Sequence, residues 1–200
     1  MEGQEPTNTS LVPQTDLRLG PIHGQGDSHA SKEEETQMLS FCKEYDLPAA
    51  EVTCASLLGP DGTVVTVAMI VDIETMRKLA HKSGTYAGTD TPEFERDLLG
   101  RPAAATVRVR RTDRPRGFAR TAFWCERVPP VSDAEDLGAW KSSPDRMLAE
   151  VAEALALRYS FPQQLSGVYT RWDLDDVAKD FELSVTLAKH DLRHLSGSTG

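Results

Sequence analysis

The chain has 200 residues, 39% of them hydrophobic, three cysteines and a formal net charge of −9. That length suits one domain, and three widely separated cysteines with no CxxC pair argue against a disulfide framework or a zinc site and read as reduced thiols. No stretch approaches the ~20 apolar residues that cross a bilayer, and the N-terminus lacks the basic-then-apolar order of a signal peptide, so a soluble cytoplasmic protein is expected.

Residues 1–30 show no apolar period and predict a disordered lead, with His23 and His29 as tail residues rather than metal ligands. Ser31 followed by Glu34 forms a capping box. It opens a helix over about 32–46, with Met38, Leu39, Cys42 and Tyr45 at helical spacing and Pro48 beyond its end. "EVTCASLL" and "TVVTVAMIV" flank the turn tetrapeptide "GPDG" and predict a hairpin. Asp72 caps the next helix, "IETMRKLAHKSG", whose Met76, Leu79 and Ala80 face inward and whose Gly84 supplies a left-handed exit. "AATVRVRR" and "GFARTAFWCERV" flank "TDRPR" and predict a second hairpin.

Residues 129–139 read as a connector rich in Pro and Asp. Pro144 behind Ser143 fits a first helical position, and that helix runs to about Tyr159 with Met147, Leu148, Val151, Leu155 and Tyr159 as its buried stripe. Trp140, just ahead of it, reads as a core seal. A last helix starts near Asp173 and turns Leu174, Val177, Phe181, Val185, Ala188 and Leu192 inward, leaving 196–200 frayed. The order is α–β–β–α–β–β–α–α: an α+β fold with antiparallel hairpins, one domain over 31–195.

Charge is segregated. Residues 101–127 hold eight arginines against Asp113 and Glu126, a surplus of six, so the remainder carries −15. Side chains alternate along a strand, which places Arg108 and Arg110 on one face and Val107 and Val109 on the other. Arg111, Arg114 and Arg116 crowd the turn, and on the returning strand Phe118, Arg120, Ala122 and Trp124 share a face. Guanidinium groups pair with phosphates and aromatic rings stack on bases, so this pattern points to a nucleic-acid surface. The competing reading is a solubilising edge hairpin whose arginines pair with the protein's own carboxylates.

No Walker loop, carboxylate pair at hydrolase spacing or His beside a Cys nucleophile appears. Asp173, Asp175 and Asp176 read as an acidic first helical turn, favoured by the helix dipole, rather than as a metal cluster. The expectation is no enzyme, no cofactor and no metal.

"GAWKSSPDRMLAEVAEALALRYSF" followed by "SGVYTRWDLDDV" resembles the phage single-strand annealing proteins of the Bet/RecT family. The likeness rests on Trp140, Ser142, Pro144, Arg146, Met147, Leu148, Ala156, Arg158, Gly167 and Tyr169. Upstream, "CKEYDLPAAEV", "MIVDIETMRKL" and "VRVRRTDRPRGFARTAFWCERV" resemble the family's helix-to-strand entry, its strand ending in Val-Asp, and its basic hairpin, in the same order over about 35–178. The resemblance implies ATP-independent binding and annealing of single-stranded DNA in phage-type homologous recombination. It also implies homo-oligomeric rings or helical filaments, action beside a 5′-to-3′ exonuclease, and a bacterial host cytoplasm. The chain ends soon after the last helix, so the further C-terminal module that contacts the exonuclease in lambda-type members is expected to be absent, and that partnership is not carried over.

One departure stands out. The family's helix at this point is basic and contributes to the DNA groove. Here Asp145, Ala149 and Val151 stand at its basic positions, and Glu150 and Glu153 add acid. Arg146 and Arg158 remain, roughly 18 Å apart along the helix, and Glu150 offers Arg146 an i,i+4 ion pair. The expected DNA contacts are therefore Arg108, Arg110, Arg111, Arg114, Arg116 and Arg120, with Arg146 and Arg158 added from the helix. The alternative is a diverged structural or regulatory oligomer that no longer binds DNA.

Overall fold

The computed structural model describes residues 17–128, 134–174 and 176–181. Two antiparallel hairpins seed two sheets, and one long helix packs along the second. The first hairpin, β2 (Thr53–Leu58) and β3 (Val64–Ile70), turns at Gly62 in the left-handed region. It gains β1 (Arg18–Leu19) antiparallel on the β2 side and β8 (Val168–Tyr169) parallel on the β3 side. The second sheet is organised on β6 (Pro102–Arg111). Strand β7 (Arg114–Phe123) pairs along one edge, while β4 (Tyr86–Thr89) and β5 (Glu93–Arg96) pair with its two ends along the other.

Helix α1 (Lys32–Tyr45) starts at the expected capping box: Ser31 Oγ accepts from Glu34 N–H, and the Glu34 carboxylate accepts from Ser31 N–H. Its Met38 and Cys42 are buried against the first sheet, but Leu39 is exposed. A single 3-10 turn (Ala49–Glu51) leads into β2. Helix α2 (Ile73–His81) is capped by Asp72 and buries Met76, Leu79 and Ala80 as its spacing requires, and Gly84 is left-handed. Beyond β7 come α3 (Trp124–Arg127), α4 (Ala134–Ser142), α5 (Pro144–Ser160) and α6 (Pro162–Leu165).

Helix α5 explains its own composition. It packs on β6, β7 and α2, so residues on nearly all sides are buried, including Ala152, Glu153, Ala154, Ala156 and Ser160. Alanines let two layers approach one helix closely. Its acids are matched: buried Glu153 accepts from Arg77 Nε at 2.7 Å and from Thr89 at 3.0 Å, and Asp145 makes a two-point pair with Arg96 at 2.7 and 3.1 Å. Trp140 is buried as expected, edge-on to Trp124 and Trp172 at 5.5 and 6.1 Å between centroids.

The α+β class with antiparallel hairpins holds, and the expected order is amended at several points. Residues 17–30, for which the sequence shows no apolar period, form an ordered strap: β1 pairs with β2, and His23 is buried, bridges Cys54 and bonds Asp27 at 3.0 Å. Strands β4 and β5 were not evident, because "YAGT" and "EFER" are short and carry few β-branched residues. Trp124 opens α3 instead of ending β7, and α4 occupies much of the supposed connector. Tyr159 is 53% exposed rather than part of the buried stripe. The last helix is described over 176–181, with Val177 buried; Val185, Ala188 and Leu192 lie outside the described residues.

Candidate nucleic-acid interface

The β6–β7 hairpin carries six of the eight predicted arginines, and its register assigns each a face. Partners directly opposite one another share a face. Val107 pairs with Arg120 and Val109 with Phe118, so Arg120 and Phe118 stand on the inner face with the buried valines. Arg108 pairs with Ala119 and stands on the outer face with Arg110. The register slips between Val109 and Arg111, which redirects the side chains at the tip.

Gly117 makes this slip possible. Its φ is +62°, and a Cβ there would lie 2.6 Å from the Val109 carbonyl oxygen, closer than any side chain tolerates. The strands therefore close tightly, and Arg108 Nη1 donates to the Arg116 carbonyl at 3.0 Å.

The eight arginines consequently fall into three settings. On the outer face, Arg110 is clamped by Asp90, with Nε and Nη2 donating at 2.5 and 2.9 Å, and Arg108 Nε lies 3.9 Å from the same carboxylate. Both arginines stay about half exposed. The Arg110 hydrogen bonds hold the Asp90 carboxyl below its usual range, and in turn raise the Arg110 guanidinium above its ordinary value. At the tip, Arg114 and Arg116 are exposed and make no side-chain hydrogen bond or ion pair among the described residues.

The second setting is the inner face and its rim. Arg120 lies over the ring of Tyr159, 3.4 Å from its centroid, and Phe118 meets the same ring edge-on at 5.5 Å. An arginine among aromatics is thus present, but the second ring is Tyr159 of α5, not Trp124. Arg111 is pinned: Asp113 takes two hydrogen bonds at 2.8 Å, the Ser160 carbonyl takes a third, and Phe161 underlies the guanidinium at 4.9 Å.

The third setting is α5. Arg146 is 76% exposed and donates to Glu150 at 2.8 Å, the i,i+4 pair its spacing allows. It lines a cleft of about 580 Å³ together with Arg77, Arg171 and Trp172, but also with Glu51, Asp72, Glu74 and Glu150. Four carboxylates against three arginines make this cleft a poor host for a polyanion. Arg158 is only 12% exposed. Burial disfavours its charge, and Asp173, Asp180 and Asp176 outweigh that cost and raise its pKa. It bonds Asp173 and, at 3.3 Å, Asp176, and lies over Tyr169, whose hydroxyl donates to Asp180 at 3.1 Å. Asp176 also accepts from Arg127 at 3.0 Å.

The chain is thus an α+β domain of two small sheets, in which a largely buried helix packs on the inner face of an arginine-rich hairpin. Residues 29–184 match the RecT family, and the chain belongs to it. Membership implies single-strand annealing in recombination by a DNA-binding, self-associating protein. No curated protein matches the chain, and no described helix is long and apolar enough to cross a membrane.

Proposed function

We propose that the protein binds one DNA strand along the outer face and tip of the β6–β7 hairpin and anneals it to its complement without ATP. The carrying observation is the side-by-side outer-face pair Arg108 and Arg110, continued at the tip by Arg114 and Arg116. Asp90 is the pair's counter-ion, and an exposed ion pair of this kind is worth about 0–1 kcal/mol. A phosphate offers the same two-oxygen geometry, so it can replace the Asp90 carboxylate at little cost. Arg120 on Tyr159, with Phe118 beside it, gives bases an edge to stack on where the hairpin meets α5.

Arg111 and Arg158 take positioning roles in this reading. The first fastens the hairpin to the end of α5; the second anchors Asp173 and Asp176. Annealing breaks no covalent bond, so no catalytic residue is assigned. In this reading the single strand is the product of a 5′-to-3′ exonuclease, with no direct contact to that enzyme assigned, and the setting is the cytoplasm of a bacterial host.

Two to four phosphate contacts give a salt dependence of roughly −1.4 to −2.8 in log K against log salt, at −0.7 per phosphate on a single strand. The test is the pair of reversals Arg108→Glu and Arg110→Glu, read by mobility shift across a salt series and by annealing rate, with circular dichroism verifying the fold. Loss of binding and a slope reduced toward zero are expected. Unchanged affinity in the folded variant removes the hairpin from the mechanism.

One observation favours a second reading: Arg110, Arg111, Arg146 and Arg158 all engage carboxylates of the protein itself. A diverged structural oligomer would self-associate without responding to DNA. Wild-type protein that gives no shift at low salt, with or without a complementary strand, selects that reading.

A further inference from the structure

Two leucines in the turn between β5 and β6 are held out in water. Leu98 is 106% exposed and Leu99 76%. The turn that carries them is tightly built. The Asp97 carboxylate accepts from Leu99 N–H at 2.8 Å, Arg101 N–H at 2.9 Å and Arg101 Nε at 2.8 Å. Asp97 N–H donates to the Arg101 carbonyl, and Gly100 N–H to the Asp97 carbonyl, both at 2.9 Å. A turn held by five hydrogen bonds thus presents two large aliphatic side chains next to each other in solvent, an apolar patch of the kind that marks a contact surface.

The opposite end of the same ribbon offers a cover. A shallow depression of about 380 Å³ with mostly apolar walls is lined by Arg114, Pro115, Arg116, Gly117 and Phe118. Strand β6 runs from the leucine turn to this tip, so knob and socket stand roughly 30 Å apart at ten residues of extended chain. One molecule cannot close them on itself.

Charge agrees with the match. Along β5, the strand that leads into the knob, Glu93 and Glu95 are exposed and make no ion pair among the described residues, while Arg96 and Arg101 are taken by Asp145 and Asp97. Beside the socket, Arg114 and Arg116 are exposed with none either. Two open carboxylates accompany the leucines, and two open guanidiniums flank the hollow.

We propose that Leu98 and Leu99 seat in the Pro115–Gly117–Phe118 hollow of a second copy of this chain, with Glu93 and Glu95 facing its Arg114 and Arg116. Unlike patches at opposite ends make a heterologous contact, which closes into a ring or runs on as a filament according to its rotation. Seating covers the tip arginines, so an assembled chain holds the strand by Arg108 and Arg110, the two-contact limit of the salt slope above. Arg114 and Arg116 meet DNA only where a tip is unseated. The inference does not depend on the DNA reading above, because assembly is measured without DNA.

The test uses the full chain in a Cys125→Ser background, since Cys125 is exposed while Cys42 and Cys54 are buried. Leu99→Cys and Pro115→Cys together in one chain give a ladder of disulfide-linked species under mild oxidation. A mixture of the two single variants gives dimers, and neither single variant alone does. Leu98→Ser with Leu99→Ser lowers the mass seen by light scattering to that of the monomer, with circular dichroism unchanged. Dimers from Leu99→Cys alone overturn the proposal, as does unchanged scattering in the serine variant or a wild-type chain that stays monomeric. A serine variant that loses oligonucleotide affinity while keeping its mass also overturns it, assigning the leucines to DNA.

Discussion

Asp90 and Arg110 form a two-point ion pair on the outer face of the second sheet, joining β6 to the residue that follows β4. The pair holds the most regular part of the basic ribbon in place, and it also occupies it. Asp90→Asn removes the competing charge and leaves the side-chain shape. DNA affinity rises in this variant, and the salt slope steepens by up to about 0.7 for each arginine released to a phosphate. The sign with pH follows from the Asp90 carboxyl lying below its usual value. The clamp is intact above the ordinary carboxylate pKa of about 3.9 and opens only as pH falls through the lowered value. At neutral pH wild-type binding therefore always works against it. A mobility-shift salt series on both proteins reads the difference; equal slopes would mean that Asp90 does not compete with DNA.

Arg158 and Arg146 sit on one helix and answer differently to the same substitution. Arg158→Met leaves buried Asp173 without its counter-charge, while Asp176 keeps Arg127, and removing one partner of a buried pair costs about 3–5 kcal/mol. Arg146→Met breaks an exposed i,i+4 pair worth a few tenths of a kcal/mol. Urea unfolding separates them by several kcal/mol. Among the molecules that remain folded, neither variant changes DNA affinity by as much as Arg108→Glu does.

Glu153 makes the same point from the acidic side. It is buried in the middle of α5, and its counter-charge, Arg77, comes from α2. Arg77→Met strands the carboxylate and destabilises the protein by at least about 2 kcal/mol. Adding Glu153→Leu recovers most of that loss, because a buried ion pair exchanged for packed apolar groups is close to neutral. Chemical denaturation of the two single variants and the double variant gives the coupling directly.

These pairs mark the boundary of what the sequence discloses. Local signals carried over well: the Ser31–Glu34 capping box, the Asp72 cap, both long hairpins and the Pro144 start of α5 are set by residues a few positions apart. The alternation of Arg108 and Arg110 with Val107 and Val109 was equally readable. What could not be read is where distant carboxylates go. Asp90, Asp145 and Asp173 reach their arginines across 20, 49 and 15 residues, so whether an arginine is open or occupied is a property of the tertiary fold. Tyr159 shows the same limit. It falls on the helical stripe with Met147 and Leu148, yet Arg120 is the inner-face residue of β7 that meets it, and the ring becomes a lid for a guanidinium instead of core.

Gly117 is where hairpin geometry and DNA grip meet in one backbone position. Its φ of +62° lies in the left-handed region, and an added methyl group would press on the Val109 carbonyl oxygen from 2.6 Å and on Arg108 Cγ from 3.4 Å. Backbone cannot step aside as a flexible side chain can, so Gly117→Ala must open the slipped register between Val109 and Arg111. A non-glycine residue forced into this conformation costs of order 1–3 kcal/mol, which thermal unfolding resolves. The functional effect follows from the same displacement. The Arg108 bond to the Arg116 carbonyl is lost, the outer-face pair comes out of line with the tip, and DNA affinity falls although every arginine is still present. Gly117→Ala with full affinity and an unchanged melting temperature would mean that the tight closure at the tip has no part in presenting these side chains.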